Sequence, residues 1–346
     1  MWRLRADELG ALAEGAALLG SGGGGDPYWF RALAEHTLAG RDGIEILDTD
    51  DVGEDTLIVA AGLVGSLLAF HERPPQGSEF GRAVRRVGDE FPSRHLVVCN
   101  YESAGANVFA AIVVAAGSGI PLVDCDGMGR ALSWLDQTTF DAAGVPIAPF
   151  VLTDSAGQSV LYERVGGRSA ERFIRAAAVQ MGGWCAFAGY PMSVADMGDA
   201  GIAGTIARAL SLGNTVRAAQ GRDVVSALIA EQGARRIGGG RVVEAQWRRI
   251  ADGGIGSVVI RSTDTGEVIR VEARNEFLLV LVDGEIAGCT PDILCVMRTR
   301  DGHPLQAESM VTGTEVEVVV LPAPQRWCVP GFREKVAPAE FGLTGV

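Results

Sequence analysis

Two short apolar segments, residues 95–99 (HLVVC) and 121–124 (PLVD), flank a helical stretch at 106–118, and this spacing constrains the fold more than any other feature. A crossover of that length joins parallel strands through a right-handed connection. Segments without polar alternation read as strands buried on both faces. The N-terminal half is therefore expected to be an α/β domain with a largely parallel or mixed sheet. In such sheets ligands sit outside the carboxyl ends of the strands. Those ends carry Asn100-Tyr101-Glu102 and Asp124-Cys125-Asp126.

The flanking segments fit that frame. Residues 7–20 place Leu9, Leu12, Ala16 and Leu19 on one helical stripe. Asp26-Pro27 reads as an N-cap followed by proline at the first position of a helix over 27–39. Short strands are expected at 44–47 and 56–61, helices at 79–91 and 170–180, and a hairpin from 145–152 and 159–163. Glycine-rich segments cover 182–204, and helices follow at 205–220 and 223–232. From residue 240 the texture changes to strands at 241–249, 256–261, 268–273, 278–282, 293–297 and 315–320. Asp-Gly turns at 252–253, 283–284 and 301–302 separate some of them. A chain of 346 residues is long for one core. The expected division is an α/β domain over 1–165, then a helical connection and a β-rich, partly open barrel or sandwich-like domain over 166–346.

The formal charge of −13 opposes binding to nucleic acid or to an anionic membrane surface. The first residues turn acidic where a signal peptide needs its apolar run, and the longest apolar stretch, 108–116, is about half a membrane span. A cytoplasmic location is expected. The six cysteines form no CxxC pair and the four histidines no HxH or HxxxH spacing, which argues against a histidine-built zinc centre. Cys125 and Cys185 lack a visible histidine partner, so neither reads as an activated nucleophile.

Three regions bear chemistry. The turn Gly20-Ser21-Gly22-Gly23-Gly24-Gly25-Asp26 could offer backbone N–H groups to a ligand, with Gly22, Gly23, Gly24 and Asp26 as contacts. It lacks the Lys-Ser/Thr of a phosphate loop and follows a helix rather than a strand. A nucleotide-binding protein using this turn, or a purely structural turn, are its other readings. The run Asp124-Cys125-Asp126-Gly127-Met128-Gly129-Arg130 sets two carboxylates and an arginine directly after a buried strand, with Met128 as a further contact. Burial would raise one carboxylate's pKa while Arg130 held the other ionised, as an acid/base pair requires. An Asp N-cap with a structural Asp–Arg pair is the plainer reading. Glu102 and Asn107 would face the same crevice, and Glu276 and Asp292 stand out as polar residues within apolar strand patterns.

LGSGGGGDPY (residues 19–28), Glu102 with Asn107, VDCDGMGRA (123–131) and QTTF (137–140) together resemble the S-methyl thiohydantoin desulfurase family. Tyr190-Pro191-Met192, Arg274-Asn275-Glu276, Thr290-Pro291-Asp292-Ile293 and LPAP (321–324) extend the resemblance in order over nearly the whole chain. It implies an α/β domain followed by a β-rich one, and hydrolytic release of methanethiol from an S-methyl thiohydantoin in the breakdown of S-methylated ergothioneine. Members of that family are often encoded beside hydantoinase/oxoprolinase genes; a non-catalytic partner subunit of such an enzyme is a separate reading of this chain that stays open. The chain departs from the family pattern at Glu102-Ser103-Ala104-Gly105-Ala106-Asn107, where glycine is more usual, and at Leu132-Ser133-Trp134-Leu135, where Phe-Pro-Glu is more usual. Both departures border the site, so the ring substrate is expected to differ in detail.

The reaction so implied needs a base for the attacking water and an acid at the ring nitrogen or leaving sulfur. Asp124, Asp126 and Glu102 are the candidates, with Arg130 orienting a carboxylate or an anionic tail of the ring. A divalent metal held by Asp124, Asp126 and Glu102 is the other scheme the residues leave open. The expected partner is a small molecule, and the expected assembly a homo-oligomer.

Overall fold

A computed structural model of the chain describes residues 1–219, 223–250 and 253–343. The predicted βαβ unit forms the middle of an eight-stranded sheet. The spatial order is Trp2–Leu4, Ile44–Leu47, Leu122–Val123, His95–Asn100, Thr56–Gly65, Trp184–Met192, Phe150–Thr153 and Ser159–Tyr162. Ile44–Leu47, Leu122–Val123, His95–Asn100 and Thr56–Gly65 run parallel, and the outer strands join them antiparallel. The sheet is mixed, with its parallel centre where the buried segments placed it.

Local chemistry sets the boundaries. Asp26 accepts a hydrogen bond from the Tyr28 N–H at 2.8 Å, and Pro27 opens the helix Pro27–Thr37. The helix Leu9–Leu19 is apolar nearly all round because it is covered on both sides. It packs on Thr205–Ala218, where a Cβ on Gly15 would strike the Ala209 carbonyl and one on Gly213 the Ala11 carbonyl. Two glycines back to back let the helices touch through their backbones.

The glycine-rich stretch expected over 182–204 holds a nine-residue strand, Trp184–Met192. It is buried on both faces and so shows no alternation, while Gly182 and Gly183, both at positive φ, turn the chain into it. This strand of the second half of the sequence lies between Thr56–Gly65 and Phe150–Thr153.

The C-terminal domain is one antiparallel sheet of seven strands, ordered Glu285–Cys289, Glu276–Val282, Val268–Arg274, Gly253–Ser262, Arg235–Ile250, Glu315–Leu321 and Ile293–Arg298. Glu285–Cys289 was not expected. Asp283 (φ 48°) and Gly284 (φ 93°) form the turn that creates it, the backbone sign a two-residue hairpin requires. Gln220 and Asp252, expected in a helix end and a turn, lie outside the described residues. The sheet curls around its own apolar face, which includes Val258, Ile260, Val271, Phe277, Val296 and Val318. Among the described residues, no helix is long and apolar enough to cross a membrane.

Candidate active site

The glycine-rich turn is where the two domains meet. Ser21 takes φ 50°, and its carbonyl accepts from the Phe277 N–H at 2.6 Å. Its hydroxyl lies 2.8 Å from the Leu294 carbonyl and 3.1 Å from that of Phe277, spanning two strands of the C-terminal sheet. The Gly22 carbonyl accepts from Ala307 N–H at 2.8 Å, and that of Gly24 from Ala106 N–H at 2.9 Å. A side chain on Gly22 would enter the Phe277 ring, and one on Gly24 would meet Ala131. The N–H groups of Ser21 and Gly23 donate to the Leu18 and Gly20 carbonyls, so they are not presented to a ligand. The turn's small residues serve close contact between domains. Asp26 spends a carboxylate oxygen on its own helix.

The run from Asp124 to Arg130 is buried and spends its polar groups on backbone. Asp124 accepts from the N–H groups of Ile206 (2.7 Å) and Ala207 (3.0 Å), capping the helix Thr205–Ala218 from another part of the chain. Asp126 accepts from Ser103 (2.5 Å), Met128 (3.0 Å) and Gly129 (2.8 Å) N–H groups. Burial pushes Asp124 up to about 6 and Asp126 up to about 7, against the N–H donors that favour the charged form. Arg130 does not pair with either aspartate, contrary to the expected Asp–Arg pair. Its guanidinium donates to the carbonyls of Ala131 (3.0 Å), Phe277 (3.2 Å) and Asp292 (2.5 Å), pinning the run to the C-terminal sheet. Burial lowers it to about 10. Met128 receives the Trp327 indole N–H on its carbonyl at 2.7 Å, and the Asp292 carboxylate accepts from Ala323 N–H at 3.0 Å.

Glu102 and Glu276 each accept from a neighbouring side chain. Asn107 donates to Glu102 at 2.8 Å while accepting from the Leu63 N–H at 2.6 Å, so the end of one parallel strand positions the carboxyl beyond the next. Glu276 arrives from the other domain. Asn275, at φ 59°, accepts from Gly254 N–H at 2.7 Å and sets the strand start from which Glu276 projects. The Ser133 hydroxyl lies 2.6 Å from Glu276 and 2.7 Å from the Arg274 carbonyl. Burial pushes Glu102 well above the usual carboxylate range, and the charges of Glu276 and Asp126 raise it further. Burial also pushes Glu276 up to about 7, opposed by the Ser133 hydrogen bond and the Arg130 charge. Glu102 and Glu276 are each 4% exposed, but Gly23 and Ser133, which touch Glu276, are themselves partly exposed. The pair therefore lies one layer beneath the surface.

Asn107 thus holds Glu102, Gly23 lies against Glu276, and the two carboxyls are near enough that the charge of Glu276 raises Glu102, with Asp126 and Arg130 in the same electrostatic neighbourhood. Asp124 and Asp292 are bonded to backbone around them, and Met128 to the Trp327 indole. Ser133, Glu171, Arg175 and Tyr190 were not singled out as site residues. Glu171 accepts from Leu135 N–H at 2.9 Å, Arg175 donates to the Ser133 carbonyl at 3.1 Å, and the Tyr190 hydroxyl donates to the Leu135 carbonyl at 2.8 Å. Together they hold the loop that carries Ser133. The Glu171–Arg175 spacing of four was the available signal, but it reads equally as an ordinary surface ion pair.

Among the described residues no three His, Cys, Asp or Glu side chains gather in an arrangement that could hold a metal, and Asp124, Asp126 and Glu102 do not form such a set. Burial pushes the thiols of Cys185 and Cys295 up to about 12 and those of Cys99 and Cys125 well up, the opposite of nucleophile activation.

The fold has a solved counterpart. A crystal structure of a protein from Chromobacterium violaceum superposes with a TM-score of 0.81 at 25% sequence identity, over 100% of this chain and 98% of that one. No curated protein matches the chain. The S-Me-THD-like N-terminal domain model matches residues 7–164 and the S-Me-THD-like C-terminal domain model residues 166–345. With both domains matched in order, the chain belongs to the S-methyl thiohydantoin desulfurase (S-Me-THD-like) family.

Proposed function

We propose that this chain is a hydrolase that removes methanethiol from an S-methyl thiohydantoin or a related hydantoin-like ring, as in the catabolism of S-methylated ergothioneine, with Glu102 and Glu276 as its acid/base pair. The observation that carries the reading is the convergence of these two buried carboxyls, one from each domain, with unequal upward shifts. Environments that push two carboxyls apart in pKa divide them into an acid and a base. Glu102, raised further by its neighbours, keeps its proton and is the acid. Glu276, near 7, is partly ionised at neutral pH and is the base.

In this reading Glu276 takes a proton from water as its oxygen bonds to the ring carbon that bears sulfur. Glu102 gives its proton to the adjacent ring nitrogen as the carbon–nitrogen double bond opens. The intermediate collapses with cleavage of the carbon–sulfur bond, and the proton held by Glu276 leaves on the thiolate as methanethiol. The remaining hydroxyl of the intermediate becomes the ring carbonyl and returns its proton to Glu102. Water is the only co-reactant.

Methanethiol release from S-methyl thiohydantoin propionate, followed with a thiol reagent, tests the proposal. Wild type should turn over, and Glu276→Gln and Glu102→Gln should each be slower by roughly 10²–10⁴-fold. Full activity in both variants would remove the pair from the mechanism. A wild type inert towards ring substrates would remove the hydrolase reading.

A further inference from the structure

A groove of about 550 Å³ opens beside the strand Ile202–Ala203. Residues 201–205 and Arg208 form one wall, and residues 324–326 with Val329 form the other. Ile202–Ala203 pairs antiparallel with Cys125–Asp126, so the groove is backed by the same short strand that supports the carboxyl pair. Its lining includes neither Glu102 nor Glu276.

Two arginines face this groove, and among the described residues that line it none is acidic. Arg208 donates to the Pro322 carbonyl at 2.7 Å and Arg326 to the Gly198 carbonyl at 2.9 Å. A carbonyl tether fixes a guanidinium without cancelling its charge, and it leaves the other donors of the fork unspent. Among the described residues neither arginine has a carboxylate within ion-pair distance; the acidic influence on Arg208 is the charge of buried Asp126, whose oxygens are spent on backbone N–H groups. The positive end of the helix Thr205–Ala218 is not the source of the charge, because Asp124 already takes its first free N–H groups. Two tethered guanidinium groups without a direct ion-pair partner, within one concavity, favour an oxyanion. The volume lies within the roughly 300–1,000 Å³ typical of small-molecule sites.

We infer that this groove is a second binding site, for a small carboxylate- or phosphate-bearing molecule held by Arg208 and Arg326. Inorganic phosphate and succinate are the probes, titrated calorimetrically into the full chain. Saturable binding of either is expected, with the phosphate and succinate arms separating the two sources of the oxyanion. Binding should weaken at least about tenfold in Arg208→Gln and Arg326→Gln and survive in Glu102→Gln. Because the arginine variants also lose a tether, Ala203→Asp serves as a second probe. It adds a carboxylate at an exposed lining position and should abolish binding while the melting temperature holds. No saturable binding of either anion, undiminished binding in the Arg208→Gln/Arg326→Gln double variant, or loss of binding in Glu102→Gln would each overturn the inference.

Discussion

The carboxyl of Glu276 occupies the space that any side chain on Gly23 would need: a Cβ at residue 23 would lie 2.6 Å from Oε1. The glycine turn is thus the floor against which the base of the proposed pair is set. Gly23→Ala should displace that carboxyl by a fraction of an ångström to an ångström and lower kcat up to about a hundredfold, the scale of loss a misplaced group produces. The checks are steady-state methanethiol release and a crystal structure of the variant. An unchanged kcat with an unmoved Glu276 would show that the contact is incidental.

Glu276→Gln and Glu102→Gln keep shape and hydrogen bonding while removing proton transfer. Each should reduce kcat roughly 10²–10⁴-fold, the usual worth of a general acid or base. Far-ultraviolet circular dichroism and melting should stay close to wild type. Activity loss accompanied by unfolding would place the carboxyls in structure instead.

The pH dependence follows from four buried carboxyls, one of them Glu102, which burial pushes well above the usual carboxylate range. Glu276 rises from 4.5 to about 7, Asp126 from 3.8 to about 7 and Asp124 from 3.8 to about 6. Each binds its proton more tightly folded than unfolded, so its stabilising contribution is complete below the unfolded value and lost as pH rises through the folded one. The melting temperature should therefore fall from about pH 4 to about pH 8, and less steeply in Glu276→Gln. Activity should run the other way on its acid side, kcat/KM climbing through about 7 as Glu276 ionises. A flat melting profile, or a rate that declines through neutrality, would contradict this.

Asp126→Asn tests the frame. An amide cannot accept all three N–H groups now on the carboxylate, and it turns an NH₂ towards donors. A loss of roughly 1–3 kcal/mol in urea unfolding is expected, the penalty for buried donors left unpaired. The folded fraction should retain turnover, which separates this residue from Glu102.

The parallel centre of the sheet was legible because its strands are short, apolar and separated by a helix of fixed reach. Trp184–Met192 was not, because a strand covered on both faces shows no period of two, and the glycines around it resemble loop. In the site, the polar strand-end residues were legible but their partners were not. Asp124 finds its donors at Ile206 and Ala207, and Arg130 finds carbonyls at Phe277 and Asp292, pairings fixed by how distant segments dock. Glu276 was visible as a polar residue in an apolar strand. Its meeting with Glu102 arises from the Ser21 contacts that seat one domain on the other.

The helix crossing at Gly15 and Gly213 has a mechanical consequence. Backbones in direct contact cannot slide past one another without opening a void, so this joint resists rocking of the two halves. Entry to the carboxyl pair then falls to the loop that carries Ser133 and Trp134, hung on Glu171, Arg175 and Tyr190. The two halves are thus joined as one rigid vessel, and the rim over the carboxyl pair is a loop tied down at both of its ends rather than left free.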